Sequence, residues 1–303
     1  VFDFVARRHW FLLISLIIAI ASLVSALLPG GLKAGIDFKG GISVTLGPKE
    51  GETLTTDQVR ENLANLGQER AIVQVLGDGD YFIRMGEMDE AQVRSELEGV
   101  GVVRDFYSVS PIVASETTRN AAIAMGVAAV AMLIYITWAF RKVAGSLRYG
   151  AGAVIALLFN IGAVLGIFSI LGRTLDWEID PMFVTAILAV IGYSVNDAIV
   201  VLDRVRENSA RDATAEFEHT VNLSINETLT RSLNTTFTTV LAILAVYLFV
   251  GGPIRSFLVA LLVGVVAGAY SSIFIASQLL VVWERREWTR LIPRIPLLQR
   301  SKG

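Results

Sequence analysis

Apolar residues in this chain gather into six long runs: Trp10–Leu28, Ala121–Phe140, Tyr149–Leu171, Met182–Leu202, Leu233–Val250 and Ser256–Trp283. A helix needs about 20 mostly apolar residues to cross a bilayer core of about 30 Å, and each run meets that length. One long interval breaks the pattern. Between the first two runs, Lys33–Ser115 reads as strand (Gly35–Leu46), helix (Thr56–Leu66), strand (Ala71–Leu76), strand (Tyr81–Met85), helix (Asp89–Leu97) and strand (Val102–Val109). Thr55 or Thr56 can cap the first of these helices. The turn Gly77-Asp78-Gly79-Asp80 suits a hairpin between the two middle strands. The order βαββαβ is the ferredoxin-like split pattern.

The pattern predicts an α-helical polytopic membrane protein with six transmembrane helices and one small α+β ferredoxin-like domain. Four stretches follow: 1–30, the N-terminus and first helix; 31–117, the α+β domain; 118–285, helices two to six; and 286–303, a basic tail. The first run is too long for the 7–15-residue core of a signal peptide, and five more spans follow it. Lys and Arg set the orientation. Arg7 and Arg8 precede span one, and Arg141, Lys142 and Arg148 fill the turn between spans two and three. Arg204, Arg206, Arg211 and Arg231 lie between spans four and five, whereas Arg285, Arg286, Arg290 and Arg294 follow span six. The opposite turns carry only Arg173 and Arg255. Both termini are therefore expected in the cytoplasm, with 31–117 outside the membrane.

Composition agrees: 53% of residues are hydrophobic and 18% charged, below the roughly 25% charged of soluble domains. A net charge of −2 gives no basic field for nucleic acid. Without cysteine, disulfides, thiol-bound metals and c-type haem are excluded. His9 and His219 are isolated in sequence, so no metal or other cofactor is expected. No phosphate loop occurs, and Gly192-Tyr193-Ser194-Val195-Asn196 lacks the closing glycine of a hydrolase elbow. An enzyme is not expected.

The chemistry concentrates in span four. Asp197 lies more than about 20 Å along that helix from Pro181 and about 9 Å short of Asp203. A carboxylate at that depth costs roughly 2.5–3.5 kcal/mol to insert, so it marks a functional site by default. Tyr193 and Ser194 share its side of the helix, and Asn196 points elsewhere, toward a neighbouring helix. Span five begins with Arg231, then Thr235, Thr238 and Thr239, a hydroxyl stripe rising from a guanidinium that antiparallel packing can bring to Asp197. The competing readings are a lipid-headgroup contact or a local pair with Glu227 for Arg231, intrahelical bonding for Thr235, and a helix-locking ion pair for Asp197. Gly162/Gly166 and Gly264/Gly268 are spaced for close helix contact. Gly40-Gly41 permits close backbone approach in the first strand.

GIDFKGG at Gly35–Gly41 and IGYSVNDAIVVLDRVREN at Ile191–Asn208, with a single domain between spans one and two, resemble the SecF family. NETLTRSLNTTFTT at Asn226–Thr239 and FVGGP at Phe249–Pro253 extend the likeness over essentially the whole chain. The resemblance implies the smaller membrane subunit of the SecD–SecF protein-export complex, related to the resistance-nodulation-division transporters and resident in the bacterial inner membrane. It implies proton-motive-force-driven assistance of preprotein translocation, with SecD, the SecYEG channel, YajC, unfolded preprotein and membrane lipids as partners. By the same resemblance, the positions matching Asp197 and Arg231 are linked to proton flow, and Thr235, Ser194, Tyr193 and Asn196 complete the candidate pathway. Beginning at Val1 rather than Met, the chain fits either a trimmed SecF or the SecF half of a fused SecD–SecF polypeptide. Span three departs from the pattern: Leu158-Phe159-Asn160 stands where some relatives carry an acid, which puts a relay role there in question. The alternatives are half of a small-molecule or lipid exporter of the resistance-nodulation-division type, and a non-transporting scaffold.

Overall fold

The computed structural model describes residues 2–285 except 50, 52, 70, 77–78, 142–144, 213 and 251–253. The basic tail 286–303, Lys142, the Gly77-Asp78 turn and the Gly251–Pro253 part of the FVGGP turn lie outside the described residues.

Among the described residues six helices are long and apolar enough to cross a membrane. They are α1 (Arg8–Leu27), α5 (Pro111–Ala139), α6 (Ser146–Thr174), α7 (Pro181–Arg211), α8 (Phe217–Phe249) and the sixth span Ile254–Glu284. The last is three segments: α9 (Ile254–Ser271), a π-helical turn (Ser272–Ala276) and α10 (Ser277–Glu284). Each span of the sequence reading falls on one of these helices. Several helices outrun their apolar cores because polar turns continue them, as where α7 carries on through Arg204 and Glu207 to Arg211. Their starts have local causes. Ser110 caps α5 and Asp180 caps α7, each followed by a proline at the first helical position, where the missing N–H costs nothing.

The α+β unit begins with β1 (Lys33–Ala34) and α2 (Ile36–Lys39), followed by β2 (Gly41–Gly47), α3 (Thr56–Asn65) and β3 (Ile72–Val75). It ends with β4 (Tyr81–Met85), α4 (Glu90–Val100) and β5 (Val102–Val109). The expected first strand, Gly35–Leu46, is thus divided. The helical turn α2 interrupts it, and Gly40 and Gly41, at φ 81° and 139°, redirect the chain into β2. Gly41 also packs so closely on the Met85 carbonyl that a Cβ there would lie 2.5 Å from it. The four-stranded sheet runs β3-β4-β2-β5 with every neighbour antiparallel, the order of the ferredoxin-like split pattern. Thr55, not Thr56, caps α3 through a reciprocal capping box with Gln58.

Ile42, Val44 and Leu46 alternate along β2 toward α3 and α4 and build a core with Val59, Leu63, Ile83, Val93 and Leu97. The other sheet face is polar and looks onto the bundle. There Thr45, Arg84 and Asp105 face Trp177, Asp180 and Arg255 across a cavity of about 540 Å³. A parallel bridge from β1 to β6 (Glu178–Ile179) joins the two parts. We call this the domain end of the bundle and the opposite side the far end.

Candidate functional site: a buried carboxylate in the fourth span

The buried side of α7 runs Phe183, Ala186, Ile187, Val190, Ile191, Ser194, Asp197, Ala198, Val201, Leu202 and Val205, the three-and-four spacing of an inward stripe. Asp197 therefore points into the bundle because its position on the apolar repeat leaves it no other direction. It is 6% exposed.

The Ser232 hydroxyl of α8 and the Ser272 hydroxyl of the π-helical turn flank its carboxyl. Ser272 Oγ donates to the Gly268 carbonyl at 2.9 Å, so its single proton is already engaged. Asp197 Oδ2 and Ser232 Oγ have no hydrogen-bond partner among the described residues. A buried polar atom left unmatched costs about 1–3 kcal/mol, more if charged. One oxygen of this carboxyl thus lacks a matching donor, and no cation among the described residues pairs with it.

One turn toward the domain end, a contrasting cluster is saturated. Asn160 of α6, fully buried, accepts from Ser194 Oγ at 2.7 Å while its nitrogen donates to the Ala267 carbonyl at 2.9 Å and to Ser271 Oγ at 2.8 Å. Only this orientation of the amide matches donors to acceptors, and Ser271 Oγ in turn donates to the Gly268 carbonyl at 3.1 Å. Three spans are tied by one side chain. The sequence reading missed this role of Asn160, although a lone amide in the middle of an apolar run was the available signal. It also missed Ser232, Ser271 and Ser272, hidden because serine is common in such helices.

The remaining predicted residues are placed as follows. Ser194 is buried but spends its proton on Asn160 and does not solvate Asp197. Tyr193 packs among Ile243, Leu258 and Val265. Asn196 is exposed on the outer surface of α7. Arg231 is exposed one position before Ser232, so the helix turns it away from the carboxyl its neighbour faces. No ion pair joins it to Asp197 among the described residues; its side chain lines a cavity with Asp203, Glu207 and Glu227. Glu227 is itself engaged by Arg204 Nε at 2.6 Å and Asn208 Nδ2 at 2.8 Å, so the local Glu227–Arg231 pair does not form. Thr235 is exposed and donates to the carbonyls of Arg231 and Ser232, both at 3.0 Å. The hydroxyl stripe thus lies on the outside of α8, bonded to its own helix.

Close packing accounts for two of the spaced glycines. A Cβ at Gly264 would collide with Val190 and one at Gly166 with Ser22, whereas Gly162 faces open space. The domain end is a second polar centre. Arg84 Nη1 of β4 pairs with Glu178 Oε2 at 2.7 Å, and Lys33 pairs with Asp176. Asp180 accepts from the Phe183 N–H at 2.7 Å and from Ser256 Oγ at 3.4 Å. Burial pushes its carboxyl above the ordinary range and outweighs the Phe183 N–H and Arg84, which act the other way; Asp37 adds to the rise. Among the described residues no group of three His, Asp or Glu side chains is placed to hold a metal ion.

Comparison with known proteins gives a consistent picture. The family model described as protein export membrane protein SecD/SecF, C-terminal, matches residues 92–286. A protein translocase subunit SecF of Thermobaculum terrenum is 41% identical, covering 96% of this chain and 97% of its own length. The protein translocase subunit SecDF of Bacillus subtilis is 33% identical over 94% of this chain but only 38% of its own. The crystal structure of SecDF, a translocon-associated membrane protein from Thermus thermophilus, superposes with a TM-score of 0.81 at 31% identity. The match covers 94% of this chain and 39% of that one.

Proposed function

This chain belongs to the SecF family of protein translocase subunits, and from that premise we propose that it couples proton movement at Asp197 to the export of unfolded preproteins. The observation that carries the reading is a carboxylate, 6% exposed, inside a membrane helix with an unmatched oxygen and no counter-ion among the described residues. A carboxyl so placed gains from taking up a proton and, once ionised, gains from a cation brought near. Alternation between those states biases the bundle between two packings. Each proton crossing supplies about 2.3 kcal/mol per 100 mV and about 1.36 kcal/mol per pH unit of gradient. That shifts a conformational equilibrium by a few tens-fold. No cofactor is required.

Arg231 and Thr235 serve from outside this bundle. With Asn196 and Thr238 they are exposed on α7 and α8, and the Arg231 guanidinium and Asn196 amide are groups that hydrocarbon accommodates at a cost. We assign this face to SecD, whose helices would wall the site and let Arg231 swing toward Asp197. The fused SecDF relatives, more than twice as long as this chain, support that pairing. The SecYEG channel, YajC and the emerging preprotein complete the partners. Arg7, Arg141, Arg204, Arg206, Arg211 and Arg285 gather at or near the far end, which the excess of basic residues assigns to the cytoplasm. Both termini then lie inside and the α+β unit, 31–117, faces outward from the inner membrane.

Asp197→Asn and Arg231→Met, each assembled with SecD, test the reading. Both are expected to remove the part of export that depends on the proton gradient while leaving assembly intact. Gradient-dependent export at the parental rate in Asp197→Asn would overturn it.

A further inference from the structure

Gln278 stands in the last third of the most buried of the six spans, six residues before its far end. It is fully buried, yet neither Nε2 nor Oε1 has a hydrogen-bond partner among the described residues. A leucine would fill similar volume with no polar atoms to satisfy, so packing gives no reason for an amide here. Position gives one. Span six runs parallel to α7, with Gly264 against Val190, Gly268 against Ser194 and Ser272 beside Asp197. Measured along the helix axis, Gln278 lies about 9 Å beyond Ser272 toward the far end. About 10 Å further, Arg285 Nε meets Glu218 Oε1 at 2.9 Å, and Arg8 Nη2 meets the same oxygen at 2.9 Å.

The helix is opened between the first two of these stations. The π-helical turn Ser272–Ala276 adds a residue to the coil, and Ser277 Oγ donates back to the Ser272 carbonyl at 3.0 Å. Such turns interrupt α-helices frequently at functional sites. Unmatched polar atoms therefore occur at Asp197 and Ser232 and again at Gln278, at successive depths toward a charged cluster at the far end. Each gap has the length of two or three waters at ordinary hydrogen-bond spacing.

We propose that Gln278 is a positioning residue that holds water between Asp197 and the Glu218–Arg8–Arg285 cluster. Protons then pass between Asp197 and the far end through the interior of this chain along span six, while Arg231 acts on Asp197 as its counter-ion from the α7–α8 surface. The inference rests on the proton-coupling role of Asp197.

Because the chain contains no cysteine, the route can be tested with single thiols in the SecD-bound complex in vesicles under a proton gradient. A charged, membrane-impermeant methanethiosulfonate reagent applied from the far end is expected to modify Gln278→Cys at least about tenfold faster than Ile225→Cys. Ile225 is equally buried at a similar depth, and tenfold is the effect of one well-made hydrogen bond to water. Equal rates would overturn the proposal. Gln278→Leu, which should raise Tm by removing the unmatched amide, is expected to slow gradient-driven export about tenfold, with recovery in Gln278→Asn. Parental export in Gln278→Leu alongside loss in Asp197→Asn would refute the route and leave the coupling role standing. Retained gradient dependence in Asp197→Asn would remove both.

Discussion

A single position on the apolar repeat separates a membrane-buried carboxylate from a solvated one. Asp197 occupies an inward position of α7 and faces Ser232, while Asn196, one residue earlier, is exposed. Asp180, seventeen residues before Asp197, shows the opposite use of the same side chain, as a helix cap at the domain end. Its carboxyl sits above the ordinary range because of burial, so the folded state holds that proton more tightly than the unfolded chain does. Its contribution to stability is then fully present below about pH 4 and falls as the pH rises through the folded value. Asp180→Asn keeps a good cap and removes the charge. It is expected to flatten the pH dependence of thermal unfolding above about pH 4, and Asp180→Ala should lie about 1 kcal/mol below Asp180→Asn at every pH through loss of the cap.

At the scale of the element, the sixth span organises the bundle. Its upper half approaches α7 through Gly264, where a Cβ would strike the stiff, branched side chain of Val190. Gly264→Ala is expected to destabilise the bundle by about 1–3 kcal/mol, read as a lower Tm, while Gly162→Ala, facing open space, should be neutral. Both glycine pairs look alike in the sequence. What distinguishes them is which helix comes near, and no local pattern carries that information. The π-helical turn was equally invisible, since Ser271-Ser272-Ile273-Phe274-Ile275-Ala276 reads as an ordinary apolar helix.

In the whole molecule, the α+β unit is fastened to the loop that leads into α7. The β1–β6 bridge and the Arg84–Glu178 pair hold β4 within a few residues of Asp180 and Pro181. Glu178 is 11% and Arg84 18% exposed at the side chain, so breaking this pair by removing one partner should cost about 3 kcal/mol. On the proposed function, this joint is where a shift of α7 would reach the sheet. Arg84→Glu is expected to lower export while proton uptake by the SecD-bound complex persists, and Arg84→Glu with Glu178→Arg to restore it. Parallel measurement of proton uptake and preprotein transport checks the separation.

Six spans, their charge asymmetry, the βαββαβ order and the placing of an ionisable Asp197 inside the fourth span are all written in the sequence. Hydrophobic length, backbone periodicity and the cost of an ion in hydrocarbon are local quantities that no distant contact can reverse. The surroundings of Asp197 are a different matter. That Ser232 and Ser272 flank it, that Asn160 claims Ser194, that Arg231 turns outward and that Gln278 is left unmatched were decided by helix rotation and register. Those follow from side-chain packing between segments far apart in the chain, where one residue of π-helix changes which face looks inward.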